Sequence, residues 1–139
     1  MKILVVDGQG GSIGRQVIEQ MKFFPKEVDL VAVGTNSIAT AAMLKAGSCR
    51  GATGENAVVV NARDADYIVG PIGILAADSL LGELTPAMAT AIGQSSAQKI
   101  LIPTGRCSNF VVGVQPLNRT ELVQLAIQEI LDLEQSSSR

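Results

Sequence analysis

The stretch Lys2–Gly14, KILVVDGQGGSIG, decides the architecture. Lys2–Val6 is a continuous, largely β-branched run, the pattern of a strand buried on both faces of a parallel sheet. Asp7 ends the run, and four glycines (Gly8, Gly10, Gly11, Gly14) fall within positions 8–14. From Ser12 the spacing turns helical: Ile13, Val17, Met21 and Phe24 share one stripe, and Pro25 closes the segment. A buried strand, a glycine loop and an amphipathic helix in direct succession form the context in which a helix N-terminus faces a ligand. Gly8 permits a tight turn, Gly10 and Gly11 let backbone approach a phosphate, and Gly14 lets the helix press on the sheet. The helix start offers free N–H groups and roughly half a positive charge. A strand-to-helix turn alone needs only one or two glycines, so four favour a ligand over a bare turn.

Working outward, the chain alternates short apolar runs with amphipathic stretches, the pattern of a parallel sheet wrapped by helices. Val28–Val33 is the second strand, and Ser37–Ala46 is a helix of small residues with Gly47 just beyond its end. Ala57–Val60 suits a strand by propensity, whereas Thr53 could cap a helix from Glu55 to Arg63; alternation of strand and helix favours the helix. Asp66–Gly70 is a strand, and Gly73–Leu81 and Pro86–Ile92 are short helices, the second with Thr85 as N-cap and Pro86 at its first position. Lys99–Ile102 and Phe110–Val114 complete the strands. A closing helix runs from about Asn118, spaced from Glu121 as in a capping box, to about Glu134. The expected fold is α/β, a three-layer, doubly wound, mostly parallel sheet of about five or six strands. One domain spans 1–134, and 135–139 form a flexible tail.

The glycine spacing narrows the ligand. G-x-G-x-x-G would require glycine where Ile13 stands, but G-x-x-G-x-x-G fits Gly8, Gly11 and Gly14. In that register the loop resembles those of the extended and atypical short-chain dehydrogenases, which implies a Rossmann-like fold and NAD(P) or another nucleotide. The resemblance stops at the chemistry. Those enzymes use Tyr-x-x-x-Lys, whereas Tyr67 is followed four residues later by Pro71. The second strand ends in Gly34-Thr35-Asn36-Ser37, without the acid that usually holds a ribose 2′-OH. Thr35, Asn36 and Ser37 suit a 2′-phosphate, or Asn36 or Ser37 simply caps the next helix.

Further loops belong on the same rim. Asp7 is placed to touch a ribose or metal, or to cap the glycine turn through an Asx bond. Together Asp7, Gly8, Gln9, Gly10, Gly11, Ser12, Ile13 and Gly14, with Thr35–Ser37, Gly70, Pro71 and Arg106, are the candidate ligand-binding residues. Arg106 offers a planar fork for a phosphate or carboxylate. Gly51–Asn56 is a polar glycine loop. Cys107 beside Arg106 suggests a nucleophile, but no histidine exists to serve as its base. Asp78 and Glu55 are open as acid or base, and the rim carboxylates are too scattered to argue for a metal.

Composition excludes whole classes. The 139 residues contain no His, no Trp and two Cys, which removes imidazole triads, histidine metal sites and a disulfide framework. Eleven basic residues against 13 acidic, with 3% aromatics, argue against nucleic acid as a partner. No run approaches the ~18 apolar residues of a membrane span, and MKILVVDGQGG is neither signal peptide nor anchor, so the expected location is cytoplasmic. A mean hydropathy of +0.31 in so small a chain leads to an expected homo-oligomer.

The segments DGQGGSIG (7–14), GTNSIATAAMLKAG (34–47), GATGEN (51–56), IVGPIGI (68–74), GELTPAMA (82–89) and KILIP (99–103) resemble a family of short bacterial proteins built on a domain of unknown function. That resemblance implies a Rossmann-like fold and a bacterial cytoplasmic origin, and no activity. The expectation is therefore a sensor or binding module for a nucleotide, dinucleotide or other phosphorylated small molecule. The alternatives are a small NAD(P)-dependent or other enzyme completed at an oligomer interface by Asp78, Glu55, Arg106 or Cys107, and a structural homo-oligomer without ligand.

Overall fold

The structure, a computed structural model, describes residues 1–105 and 108–139. Five parallel strands form one sheet: β1 (Lys2–Asp7), β2 (Asp29–Gly34), β3 (Arg50–Thr53), β4 (Tyr67–Pro71) and β5 (Gln98–Ile102), in the order β3-β2-β1-β4-β5. The helices are α1 (Ser12–Met21), α2 (Ser37–Ala46), α3 (Glu55–Ala62), α4 (Pro86–Gln94) and α5 (Arg119–Ser137). Alternation along β1 sorts the two cores. Ile3 and Val5 pack with α1, α2 and α5, while Leu4 and Val6 pack with α3 and α4. Both sets are fully buried, which is why Lys2–Val6 is apolar without a break. This is the three-layer, doubly wound Rossmann-like arrangement expected from the sequence. Its strand order reverses between β1 and β4, so the crevice of the fold opens above those two strands.

Several boundaries differ from the expected ones, each for a local reason. Glu55–Ala62 is helical, but Gly54 at φ 101 stands at its N-cap and Thr53 instead ends β3, its hydroxyl 2.8 Å from that of Thr40. Arg50–Thr53, read from sequence as loop, is an edge strand. RGAT carries no apolar run and is held by its register on β2 and by the Arg50–Asp29 pair at 2.8 Å. The strand expected at 110–114 does not form: Phe110 is 91% exposed, Gly113 turns at φ 83, and no strand among the described residues pairs with the segment. β-branched residues make a strand only where a ladder is within reach. The helix expected over 73–81 is a single 3₁₀ turn at Ile72–Leu75 followed by irregular turns. α1 stops at Met21, and Lys22, Phe23 and Phe24 tighten into i→i−3 bonds before Pro25. α5 continues into the expected tail as far as Ser137, its last turns joined by Ser136 and Ser137 hydroxyls donating to the Asp132 and Leu133 carbonyls. The caps at Thr85 and Asn118 form as read, donated to by the N–H groups of Met88 and Glu121. Among the described residues no helix is long and apolar enough to cross a membrane.

Candidate functional site

A cleft of about 1140 Å³ opens over the carboxyl ends of β1, β4 and β5. It is walled by the glycine loop, Pro71, the turns at 76–81, the loop after β5 and the start of α5. Its floor follows from the fold: at the switch point the loops after β1 and β4 diverge to opposite faces and leave a gap.

The glycine loop is organised by Asp7. This side chain is 4% exposed and lies at the end of β1. Its Oδ1 accepts the Gly8 N–H at 2.8 Å and its Oδ2 the Gly14 N–H at 2.7 Å. Burial raises its pKa above the usual carboxylate value, while bonds from the Gly14, Gly8 and Ile13 N–H groups and the charge of Arg119 pull the other way. Asp7 therefore ties the turn to the start of α1, but not through the expected Asx bond, because the N–H two residues on, that of Gln9, goes to Glu83. Its carboxylate already occupies part of the field at the start of α1.

The glycines divide their labour. Gly11 adopts φ 72 directly before α1, and a Cβ there would lie 2.8 Å from Ala39 backbone. At Gly14 a Cβ would meet Met43 Sδ, which lets α1 lie against α2. Gly70 is buried inside β4, so it shapes the rim from beneath. Gly8, Gln9, Gly10, Ser12 and Ile13 line the cleft, whereas Gly11 and Gly14 do not. Among the described residues, the Gly8, Gln9, Gly11 and Gly14 N–H groups have internal acceptors. For Gly10 and Ser12, both exposed, no N–H acceptor is found among the described residues.

Thr35, Asn36 and Ser37 lie outside the cleft lining. Asn36 caps α2, its Oδ1 accepting from the Ala39 N–H at 2.9 Å, and its amide donates to the Gln9 carbonyl at 3.0 Å. Ser37 is the exposed first residue of α2. Above Thr35 and Asn36 sits a carboxylate the sequence pattern did not single out. Glu83 accepts from the Gln9 N–H at 3.0 Å, from Thr35 Oγ1 at 3.4 Å and from the Asn36 amide. It is carried by a segment in which Asp78, Leu80 and Leu81 all have positive φ (65, 57 and 56) and Gly82 has φ 87. Each such non-glycine residue costs about 1 kcal/mol.

The cation at the cleft was missed as well. Arg119, first residue of α5, lines the cleft, and its Nη1 donates to Ser12 Oγ at 3.0 Å across 107 residues of sequence. The cap at Asn118 placed a helix start here. Only the strand order, which brings α5 beside α1, puts that start next to the glycine loop. Arg106 and Cys107 lie outside the described residues. Of the other acids, Asp78 lines the cleft, and Glu55, in the first turn of α3, does not.

The sequence matches no curated protein. Among solved structures the chain is similar to a dodecameric FMN-dependent Ubix-like decarboxylase from Escherichia coli O157:H7, with 15% identity and a TM-score of 0.46 over 93% of this chain and 75% of that one. The sequence profile of the family described as "Domain of unknown function (DUF3842)" matches residues 2–135, and the chain belongs to that family.

Proposed function

We propose that this chain is a Rossmann-like binding or sensor module that takes a nucleotide or other phosphorylated small molecule in the cleft over β1, β4 and β5. The observation that carries the reading is the meeting at the cleft wall of Arg119 and Ser12, 3.0 Å apart, at the start of α1 beside the exposed Gly10. A hydroxyl and a guanidinium meeting at a helix start suit a phosphate oxygen set. The volume, about 1140 Å³, lies just above the roughly 300–1,000 Å³ of most small-molecule sites and accommodates a nucleotide. With four aromatic residues in the chain, three Phe and one Tyr, the base would be held by aliphatic walls such as Leu80 and Leu117, not by ring stacking. A homo-oligomer is part of the same proposal, because Phe110 and Val112 are 91% and 86% exposed.

The test is a thermal-shift panel of NAD, NADP, ADP-ribose, ATP, FMN and phosphosugars on the wild type and on Arg119→Ala. A true ligand at a hundred times its Kd adds about 2.7 kcal/mol, on the order of 5–10 °C in Tm for this length. Arg119 is exposed, so its removal should leave the fold intact and abolish most of the shift. A panel without any wild-type shift overturns the reading, and a shift indifferent to Arg119→Ala moves the site elsewhere.

A further inference from the structure

The donors Gln9 N–H, Thr35 hydroxyl and Asn36 amide come from the loops after β1 and β2, and all three converge on one carboxylate. That carboxylate belongs to a distant loop, 74 residues from Gln9. The same loop packs on the glycine turn through Leu80: a Cβ at Gly8 would lie 2.7 Å from Leu80 Cδ1 and 2.6 Å from Thr35 Oγ1. Residues 78–82 combine three left-handed non-glycine residues with a left-handed glycine, and Leu81 at their tip is 97% exposed. Ser79, on the Gly73 carbonyl, and the fully buried Leu84 hold the ends of this strained segment, and Glu83 is the charged anchor of the turn between them. Three neutral donors gathered around an anion also describe an anion subsite, already filled from within.

We propose that Glu83 is an internal anion that latches the 76–84 loop over the glycine turn, and that Gln9, Thr35 and Asn36 form a second anion subsite, open to a carboxylate or phosphate group once the latch lifts. The subsite lies beside β2 and shares Gln9 with the cleft lining, so an anionic ligand long enough to reach both would lift the loop. This last step rests on the proposed ligand reading; the latch itself does not. In the closed state the β2 side is shut and the β4–β5 side is open. Opening joins the two, and the exposed turn at Leu81 is the part that moves.

Hydrogen exchange on the ligand-free protein tests the latch directly. In Glu83→Ala the Gln9 amide and the 76–84 amides should exchange about tenfold faster or more, with the Tyr67–Pro71 amides unchanged. Gly8→Ala, whose methyl meets Leu80 and Thr35, should release the same amides with Glu83 in place. Unchanged exchange in Glu83→Ala overturns the latch, whatever any ligand does. ADP-ribose and inorganic phosphate then probe the subsite. Glu83→Ala should bind ADP-ribose about tenfold more tightly than the wild type, because no internal carboxylate competes. Weaker binding overturns the proposal by making Glu83 a ligand contact. Binding of neither probe by either protein overturns the displacement step together with the proposed function, while the exchange result still decides the latch.

Discussion

The two ends of the sheet hold their charges in opposite ways. At the amino end, side chains mostly pair with side chains: Lys2 with Asp64 at 2.5 Å, Arg50 with Asp29 at 2.8 Å, and the Tyr67 hydroxyl with Glu134 at 2.6 Å, while Asp66 accepts the Lys2 N–H. At the carboxyl end, the two acids that matter, Asp7 and Glu83, are held by backbone N–H groups and neutral side chains. The topology explains the contrast. All five strands are parallel and each helix returns the chain to the amino end, so the helix starts and their unsatisfied N–H groups gather at the carboxyl end. An anion is stabilised there mainly by N–H groups, with the charge of Arg119 adding a smaller share at Asp7. That makes this end suited to anionic ligands, and explains why the chain can fill it with its own carboxylates.

The sharpest way to break the comparison is steric. A Cβ at Gly70 would stand 2.3 Å from the Val6 carbonyl oxygen and 3.0 Å from Ile74 Cδ1. Backbone cannot rotate away as a side chain can, so Gly70→Ala must part β1 from β4 at the crevice. The expected loss is about 3 kcal/mol, a fall of about 10 °C in Tm. At the other end Arg50→Ala removes an exposed pair and should cost under about 1 kcal/mol. Equal losses in the two variants, measured by thermal unfolding, would erase the distinction between a packed rim and a solvated one.

Electrostatics gives the second test. Asp7→Ala leaves two N–H groups at a buried turn without their acceptor, an expected cost of about 2 kcal/mol at neutral pH. The pH dependence has a definite sign. Burial raises the folded-state pKa of Asp7 above its ordinary value of 3.8, so the native state binds a proton more readily than the unfolded chain. Beyond the two N–H bonds, this proton uptake adds a contribution that is complete below that ordinary value and is lost as pH rises through the folded pKa. The margin of wild type over Asp7→Ala should therefore widen as pH falls from neutral toward 4, in paired urea titrations. A margin that narrows instead would mean that the N–H bonds outweigh burial.

What was legible in the sequence follows the same division. KILVV, the glycine loop and the caps at Asn36, Thr85 and Asn118 depend on neighbours a few residues away, and local chemistry reveals them. The unbroken apolar runs of β1 and β4 report burial on both faces, which is enough for a parallel sheet. Of the candidate residues, Asp7, Gly8, Gln9, Gly10, Ser12, Ile13 and Pro71 do reach one cleft, whereas Gly11 and Gly14 pack on α2 and Thr35 and Asn36 bond Glu83. Glu83 and Arg119 carry no local signature. Each gains its meaning from a partner 74 or 107 residues away, and only the strand order supplies that partner. β3 was missed for a related reason: RGAT is a strand because β2 presents an edge to it, not because of its own composition.

The smallest effect belongs to the amino end. Tyr67 starts β4 with its ring in the core and its hydroxyl donating to Glu134 on α5, which also lies 3.6 Å from Lys26. Burial first, and then the bond to Glu134, push the tyrosine pKa up to about 12. Tyr67→Phe keeps the ring and removes one bond to a half-exposed carboxylate that retains water and Lys26, so the loss should be about 1 kcal/mol or less. Because the folded-state pKa lies above the ordinary value of 10, this contribution should persist from neutral pH to about 10 and vanish as pH rises toward 12. Ligand binding at the opposite rim should be unaffected, since the hydroxyl acts at the start of β4 and the cleft lies beyond its end. A Tyr67→Phe protein that kept its stability but lost binding would show that the two ends are coupled through β4, and the separation of a paired end from an anion-filled end would then describe geometry without describing energetics.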